Sequence, residues 1–280
     1  MSTADPVVQK SEVQQFWESE PCGSRYLVGV EAPRERESTI DPYDLQIRAR
    51  YGLEPFIWDF AKFASGKRRK VLEVGVGMGA DFVEWLKAGA HATGIDLSET
   101  SIRRARQRCQ SAGFTEPDLR VADAENLPFA DETFDIVYSY GVMHHSPDTH
   151  RCIREAWRVL KPGGEAKIMI YHHPSLTGIM LWVRYGIWRG RSMHQCVYAH
   201  LESPGTKTYT KAEAAALMSG FCNVEMKLAF SPGDLLVHRP SSRFRGALYR
   251  FFWRLYPRWL LRRIAGDCKL FLLLTGKKEG

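Results

Sequence analysis

A chain of 280 residues, 44% hydrophobic and 25% charged, can bury a large core and is neither disordered nor fibrous in composition. No run of 18 apolar residues occurs, so no membrane-spanning helix is expected, and the polar stretch Met1 to Pro6 lacks a signal-type apolar core. Six scattered cysteines without a CxxC pair are expected as reduced thiols, which points to the cytoplasm, and the net charge of +7 is concentrated near the C-terminus.

Residues 1–65 read as an N-terminal helical cap. Val13, Phe16 and Trp17 share one side of a short helix that Pro21-Cys22-Gly23 breaks. Asp41-Pro42 starts another, with Asp as cap and Pro in the first turn. Beyond it Tyr43, Leu45, Ile47, Tyr51, Phe56, Ile57, Phe60 and Phe63 recur at helical spacings, interrupted near Pro55, and are expected to pack on the main domain.

The organising stretch is Val71-Leu72-Glu73-Val74-Gly75-Val76-Gly77-Met78-Gly79. An apolar strand runs into a glycine turn, and a helical pattern resumes over Asp81 to Lys87. Glycine suits such a turn because it takes positive φ and lets a ligand approach the backbone. Gly75-x-Gly77-x-x-Ala80, with Asp96 at the spacing of a ribose-binding acid, fits a dinucleotide fingerprint. Glu73 argues otherwise: a carboxylate two residues before the first glycine would crowd a pyrophosphate, but would suit the ammonium and sulfonium of S-adenosylmethionine (SAM).

From Lys70 onward strand and helix alternate, the pattern of a parallel sheet covered on both faces. The second strand is His91 to Asp96, followed by a helix capped by Ser98 that runs to about Ser111. A third strand ends at Asp123 and a fourth spans Phe134 to Ser139. A helix from Thr149 to Leu160 is expected to stop at Lys161-Pro162-Gly163-Gly164, before a fifth strand from Ala166 to Tyr171. Then the alternation fails. Residues 172–221 read as an insertion with helical character from Leu176 to Trp188, and residues 222–280 as the end of the sheet, with strands Cys222 to Phe230 and Lys269 to Thr275.

Four ordered motifs within residues 66–171 resemble the class I SAM-dependent methyltransferases of the type-11 branch. They are Val71 to Gly79; Gly94-Ile95-Asp96-Leu97-Ser98; Ala122 to Phe129 with Phe134-Asp135; and Tyr140 to His145 with Arg158 to Gly164. The resemblance implies a Rossmann-like α/β fold, with a mostly parallel seven-stranded sheet and helices on both faces. It implies SAM as cofactor, Glu73 on the methionine amino group, Gly75 and Gly77 passing close, and Asp96 on the ribose hydroxyls. Leu97 would pack on the adenine, with Asp123, Ala124 and Tyr140 completing the cofactor site. The plainer alternative for Asp96 and Asp123 is a capping or turn role.

Methyl transfer from a sulfonium needs alignment more than covalent help, and a base only for acceptors that must lose a proton. Two histidine pairs follow strand ends, and His145, His144 and His172 are the candidates, each with a packing role as the alternative. Phe16, Trp17, Tyr26 and Tyr209 are candidates to line an acceptor pocket built by the cap and the insertion. No metal-ligand spacing is present. The activity expected is methylation of a small-molecule O, N or S nucleophile. The alternatives are a SAM-binding protein without turnover and, more weakly, an NAD(P)-dependent oxidoreductase. Arg239 to Arg263 holds eight arginines and no acid. It reads first as a helix packed on the sheet; peripheral contact with an anionic membrane is the alternative, and no nucleic acid is expected.

Overall fold

A computed structural model describes residues 9–19, 42–203, 205–237 and 255–280. Tyr26 and most of the arginine-rich stretch lie outside the described residues.

Seven strands form one sheet in the order β3-β2-β1-β4-β5-β7-β6. They are β1 (Lys70–Val74), β2 (His91–Asp96), β3 (Asp118–Val121), β4 (Phe134–Tyr140), β5 (Leu160–Tyr171), β6 (Cys222–Ala229) and β7 (Phe271–Lys277). The first five pair in parallel, and β7 runs antiparallel between β5 and β6. Strand β1 is bonded to both β2 and β4, so the chain reverses its direction of build between them. That reversal leaves a crevice at the carboxyl ends of the strands, where open α/β sheets bind ligands.

Two cores explain why the central strands are apolar throughout. On one face Val71, Ile136 and Tyr138 pack with α4 (Ala80–Lys87), α5 (Glu99–Ser111), and the N-terminal α2 (Pro42–Leu53) and α3 (Ile57–Ala61) through Tyr51, Phe60, Phe82 and Trp85. On the other, Leu72, Val74, Val137 and Ile168 meet α6 (Thr149–Val159) and α9 (Lys211–Leu217) through Ile153, Ala156 and Ala214. A strand covered on both faces gains nothing from alternation. Edge strand β6 alternates between exposed and half-buried positions, as an edge should. The aromatics of 43–63 do pack on the main domain, and their interruption at Pro55 is the break between α2 and α3.

Several boundaries differ from the sequence reading. Strand β3 ends at Val121 rather than Asp123, β7 runs Phe271–Lys277 rather than Lys269 to Thr275, and the helix after β5 stops at Tyr185 rather than Trp188. The largest difference is at the start of β5, where α6 ends at Val159 and Lys161-Pro162-Gly163-Gly164 lies within the strand rather than before it. Leu160 is wholly buried and pairs with Phe134, so burial draws it into the sheet. The glycines stay useful there: Gly163 takes φ +75°, Gly163 N donates to Lys278 O and Lys278 N to Gly164 O, both at 2.9 Å.

Two further helices, α7 (Leu176–Tyr185) and α8 (Met193–His200), follow the carboxyl end of β5 and pack on each other. Helix α1 (Lys10–Ser19) buries Val13. Among the described residues no helix is long and apolar enough to cross a membrane, and no group of His, Cys, Asp and Glu is placed to hold a metal ion.

Candidate functional site

The carboxyl ends of β1, β2 and β4 open into a cleft with an empty volume of about 750 Å³, solvent at its mouth included. Val74 and Gly75 line it from β1, Ile95, Asp96 and Leu97 from β2, and Asp123 and Ala124 follow β3. Gly141, Val142 and His145 come from the turn after β4, while Lys10, Val13 and Trp17 reach in from α1. The four sequence motifs therefore share one cavity.

The turn after β1 has no room for a side chain. Gly75 sits at φ +80°, and a Cβ there would fall 2.2 Å from Val142 Cγ2. Gly77 does not line the cleft; its N–H donates to Asp96 Oδ2 at 2.9 Å, while Ser98 N–H donates to Oδ1 at 2.9 Å. Asp96 is thus aimed by two backbone donors. Burial pushes its carboxyl up to about 6 in spite of those bonds.

Glu73 lies one residue before the cavity wall, buried, with Oε2 lacking a hydrogen-bond partner among the described residues. Burial and the neighbouring Asp81 and Asp96 charges push its carboxyl well above the usual range, with Arg50 pulling the other way. Arg50 is occupied: Nε and Nη2 grip Asp81 Oδ1 and Oδ2 at 3.0 and 2.6 Å. Tyr51 and Tyr138 hydroxyls donate to the same carboxylate at 2.9 and 2.7 Å. Tyr140 is turned away from the cleft, its hydroxyl donating to Glu54 Oε2 at 2.9 Å. An orphaned carboxylate oxygen beside a turn that admits only backbone fits a close-packed, positively charged ligand. The donor set suits the amino-acid end of SAM.

Three residues of α1 at four-residue spacing fasten it across the ends of β2 and β3. Lys10 Nζ donates to Asp123 Oδ2 at 2.6 Å and to Glu125 Oε2 at 2.5 Å. Gln14 Nε2 donates to Leu97 O at 3.2 Å, and the free N–H groups of Glu99 and Thr100 at the start of α5 donate to Glu18 at 2.6 and 3.2 Å. Asp123 also accepts from Glu125 N–H at 2.9 Å, so each of its oxygens already takes one hydrogen bond.

The histidines separate by environment. His145 lines the cleft, with Trp17 edge-on at 5.2 Å. Its Nδ1 meets Ser203 Oγ at 2.8 Å and Thr206 Oγ1 at 3.1 Å, and its Nε2 lies 3.4 Å from Glu202 Oε2. His144 is wholly buried between His145 and Tyr171 and does not line the cleft. Burial, with His145 and Lys207 beside it, holds its pKa well below the ordinary histidine range. His172 is likewise off the cleft, Nδ1 placed 3.0 Å from Lys269 O, and burial lowers its pKa.

Of the aromatic candidates, Trp17 lines the cleft, whereas Phe16 packs edge-on against Trp17 at 5.0 Å and contributes no wall. Tyr209 is used through its backbone, N–H donating to Tyr171 O at 2.9 Å, and does not line the cleft either. Sequence reasoning did not single out Lys10, Val142 or Glu202. The spacing of Lys10, Gln14 and Glu18 beside Val13 and Trp17 is the one signal that marks α1 as a helix with a polar grip; Glu202 carries none.

Comparison with known proteins agrees with this geometry. Residues 72–168 match the family described as "Methyltransferase domain". The chain is 40% identical over 102 residues to methyltransferase GfsG of Streptomyces halstedii, covering 35% of this chain and 36% of that protein. It is 39% identical over 100 residues to 27-O-demethylrifamycin SV methyltransferase of Amycolatopsis mediterranei, covering 34% and 36%. These matches thus span about a third of each relative. The fold resembles geranyl diphosphate C-methyltransferase from Streptomyces coelicolor A3(2), solved with Mg2+, geranyl diphosphate and S-adenosyl-L-homocysteine. That likeness has a TM-score of 0.61 at 16% identity and covers 98% of this chain and 99% of that one.

Proposed function

We propose, on the premise that residues 72–168 are a class I SAM-dependent methyltransferase domain, that the protein methylates a hydroxyl of a small, largely apolar acceptor. One observation carries the cofactor end: all four motifs line or brace a single cleft at the switch point of the sheet, with Glu73 Oε2 beside it lacking a hydrogen-bond partner among the described residues. What supports a hydroxyl is His145, the histidine of that cleft, backed by Glu202. The named activity of one relative on an O-methyl position points the same way.

Bound in the cleft, SAM supplies a methyl group already activated by its sulfonium. The protein's own work is then to hold and to exclude. Asp96 keeps acceptor capacity for a vicinal diol beyond its two backbone donors. Glu73 offers its charge to the cationic end, and its raised pKa falls when a cation arrives. Val13 and Trp17 of α1 keep water from one side. Ser203 and Thr206 engage His145 Nδ1 and the Glu202 carboxylate faces the buried Nε2, so that Glu202 would stabilise the imidazolium formed when the ring takes the hydroxyl proton.

Calorimetric titration with SAM, followed by assay of S-adenosylhomocysteine release against phenols, alcohols, thiols and amines, tests this reading. Saturable SAM binding and turnover restricted to hydroxyl acceptors are expected. His145→Gln should then lower turnover about 10²- to 10⁴-fold with SAM affinity unchanged. Absence of SAM binding sinks the proposal; turnover of thiols alone, indifferent to His145→Gln, removes the base and the hydroxyl. SAM binding without turnover of any acceptor favours a protein that binds the cofactor without using it.

A further inference from the structure

Nine large apolar side chains are exposed among the described residues, and six of them fall in two short segments. Val183, Ile187 and Trp188 lie at the end of α7 and in the 3-10 turn after it. Leu255, Trp259 and Ile264 lie on and just before α10 (Arg258–Ile264). Trp188 is 89% exposed and Trp259 67%. Tryptophan at such exposure gives up the burial of the largest apolar side chain, which makes two of them in water a mark of an interaction surface. Helix α10 buries no residue at all, which counts against a scaffold packed on the sheet.

The charged residues within these two segments have one sign, and the exposed acid just beyond the second, Asp267, is paired with Lys211. Arg184, Arg189, Arg191, Arg262 and Arg263 are exposed beside the apolar side chains. No Asp or Glu occurs from residue 166 to 201, nor from 235 to 266. Both segments are tied to one buried residue, Asp234. Thr177 N and Oγ1 at the start of α7 donate to its Oδ1 at 2.9 and 2.8 Å, Leu270 N donates to Oδ2 at 2.8 Å, and the Tyr256 hydroxyl donates to its carbonyl at 2.8 Å. The turn carrying Trp188 is braced as well, Trp182 Nε1 donating to Arg191 O at 2.9 Å. Because Tyr171 pairs with Phe271, both segments join the sheet at the carboxyl end of β5, the end at which the cleft opens.

We propose that this basic, tryptophan-bearing surface docks on an anionic lipid bilayer. Tryptophan and aliphatic side chains enter the headgroup boundary while arginines meet lipid phosphates, the division of labour of an interfacial segment. A second copy of the chain is a poor occupant, since it would bring the same acid-free positive face. Nucleic acid would account for the arginines but not for the aliphatic side chains among them. Docking stands without the methyl-transfer reading. One consequence rests on it: a bilayer held at this end of the sheet would present an amphiphilic acceptor to the cleft.

The test is sedimentation of the whole protein with phosphatidylcholine vesicles, with and without phosphatidylglycerol, at low and high salt. Binding is expected only to the anionic vesicles and should fall with salt. Trp188→Ala combined with Trp259→Ala, or Arg262→Ser with Arg263→Ser, should weaken it on the order of tenfold or more, with the melting temperature unchanged. Quenching of tryptophan fluorescence by brominated lipid reads insertion in the unaltered protein, so the result does not hang on a variant. Equal recovery with neutral vesicles, no recovery, or variants that bind like the wild type overturns the docking surface. So does retention on single-stranded DNA that those variants abolish while vesicles fail to bind. A SAM titration on the same preparation keeps the readings apart: SAM binding without vesicle binding overturns docking alone, and vesicle binding without SAM binding overturns the methyl-transfer proposal alone.

Discussion

On the α2 side of the glycine turn, Asp81 is gripped by Arg50, Tyr51 and Tyr138 almost out of reach of water, whereas on the α1 side Lys10 and Glu18 hold their partners at a surface open to solvent. The Arg50–Asp81 side chains are 12% and 3% exposed, those of Lys10 and Asp123 35% and 32%. That contrast sets opposite energetic rules. A buried pair contributes little net stability but is costly to break from one side, because a lone charge remains in an apolar setting. A half-exposed pair is cheap to make and cheap to break. The turn is thus braced from within by contacts that rarely open, and covered from without by contacts that open readily.

Breaking the inner brace should have the largest effect. Arg50→Met strands Asp81 next to Glu73, whose carboxyl is already held far above its ordinary pKa, and should cost about 3–5 kcal/mol of stability in denaturant unfolding. Adding Asp81→Asn should restore part of that loss, since no uncompensated charge remains. The pH dependence follows the same logic. Burial opposes ionisation of Asp81, but Arg50, Tyr138 and Tyr51 outweigh it and hold its pKa below the ordinary carboxylate value. Its contribution is present above the unfolded pKa and is lost as pH falls through the lower folded one. Wild type should therefore keep this brace into the acid range where Arg50→Met has none. A loss under about 1 kcal/mol in the variant would show that water enters the network and that the contrast is one of degree.

Asp96 stands between the two regimes, facing the cleft yet held by backbone donors, and its removal should have an intermediate effect. Asp96→Ala should weaken SAM binding by about 1–3 kcal/mol, the worth of hydrogen bonds to a charged group, as measured by calorimetry. In the unaltered protein the carboxyl titrates near 6, because burial raises it. Affinity should accordingly decline as pH falls through about 6, where the carboxylate proposed to hold the ribose diol becomes protonated. Stability should move the other way, since a raised carboxyl favours the folded state as it gains its proton. Affinity independent of pH between 5 and 7 would remove Asp96 from the binding role.

What the sequence makes legible is local. Strand β2 is bounded as expected at His91 and Asp96, and the motif residues Gly75, Asp96, Leu97, Asp123 and Ala124 reach the cleft because they sit at or just past the ends of β1, β2 and β3. Periodicity and turn chemistry fix such positions without knowledge of the rest of the chain. Glu73 is legible as an anomaly, a carboxylate in an apolar strand, but its neighbours are not. Arg50 comes from a helix 31 residues before Asp81, and Lys10 meets Asp123 across 113 residues, pairings that no local pattern records. The pair His144 and His145 shows the same limit. Adjacent in sequence and alike in composition, they differ only in what surrounds them: one lines the cleft, the other is sealed against Tyr171. The Lys161 to Gly164 boundary was misplaced for a related reason, because the burial of Leu160 against Phe134 depends on a strand elsewhere.

Loosening the outer cover should have the smallest effect, and a kinetic one. Lys10→Met and Glu18→Gln each remove a half-exposed contact and should cost roughly 0.2–1 kcal/mol in SAM affinity, within the range of exposed ion pairs. The loss should appear in the dissociation rate, since α1 lies over the side of the cleft lined by Asp96, Leu97 and Asp123, and on the proposed cofactor placement has only to lift for release. Both contacts are hydrogen-bonded to charge: burial works against Glu18, but the donors at Thr100 and Glu99 hold its pKa below the ordinary value. By the same sign argument its grip on α5 persists above the unfolded carboxylate pKa and is lost only at lower pH. Salt should mimic the substitutions, because screening acts on exposed pairs and spares buried ones. Stopped-flow release of SAM at low and high salt therefore separates the two sides of the turn. Faster release in wild type at high salt, with little further change in Lys10→Met, is expected of a cover held by exposed charge. Release unaffected by salt or by either substitution would mean that Val13 and Trp17 hold α1 in place by burial, and that the charges merely accompany it.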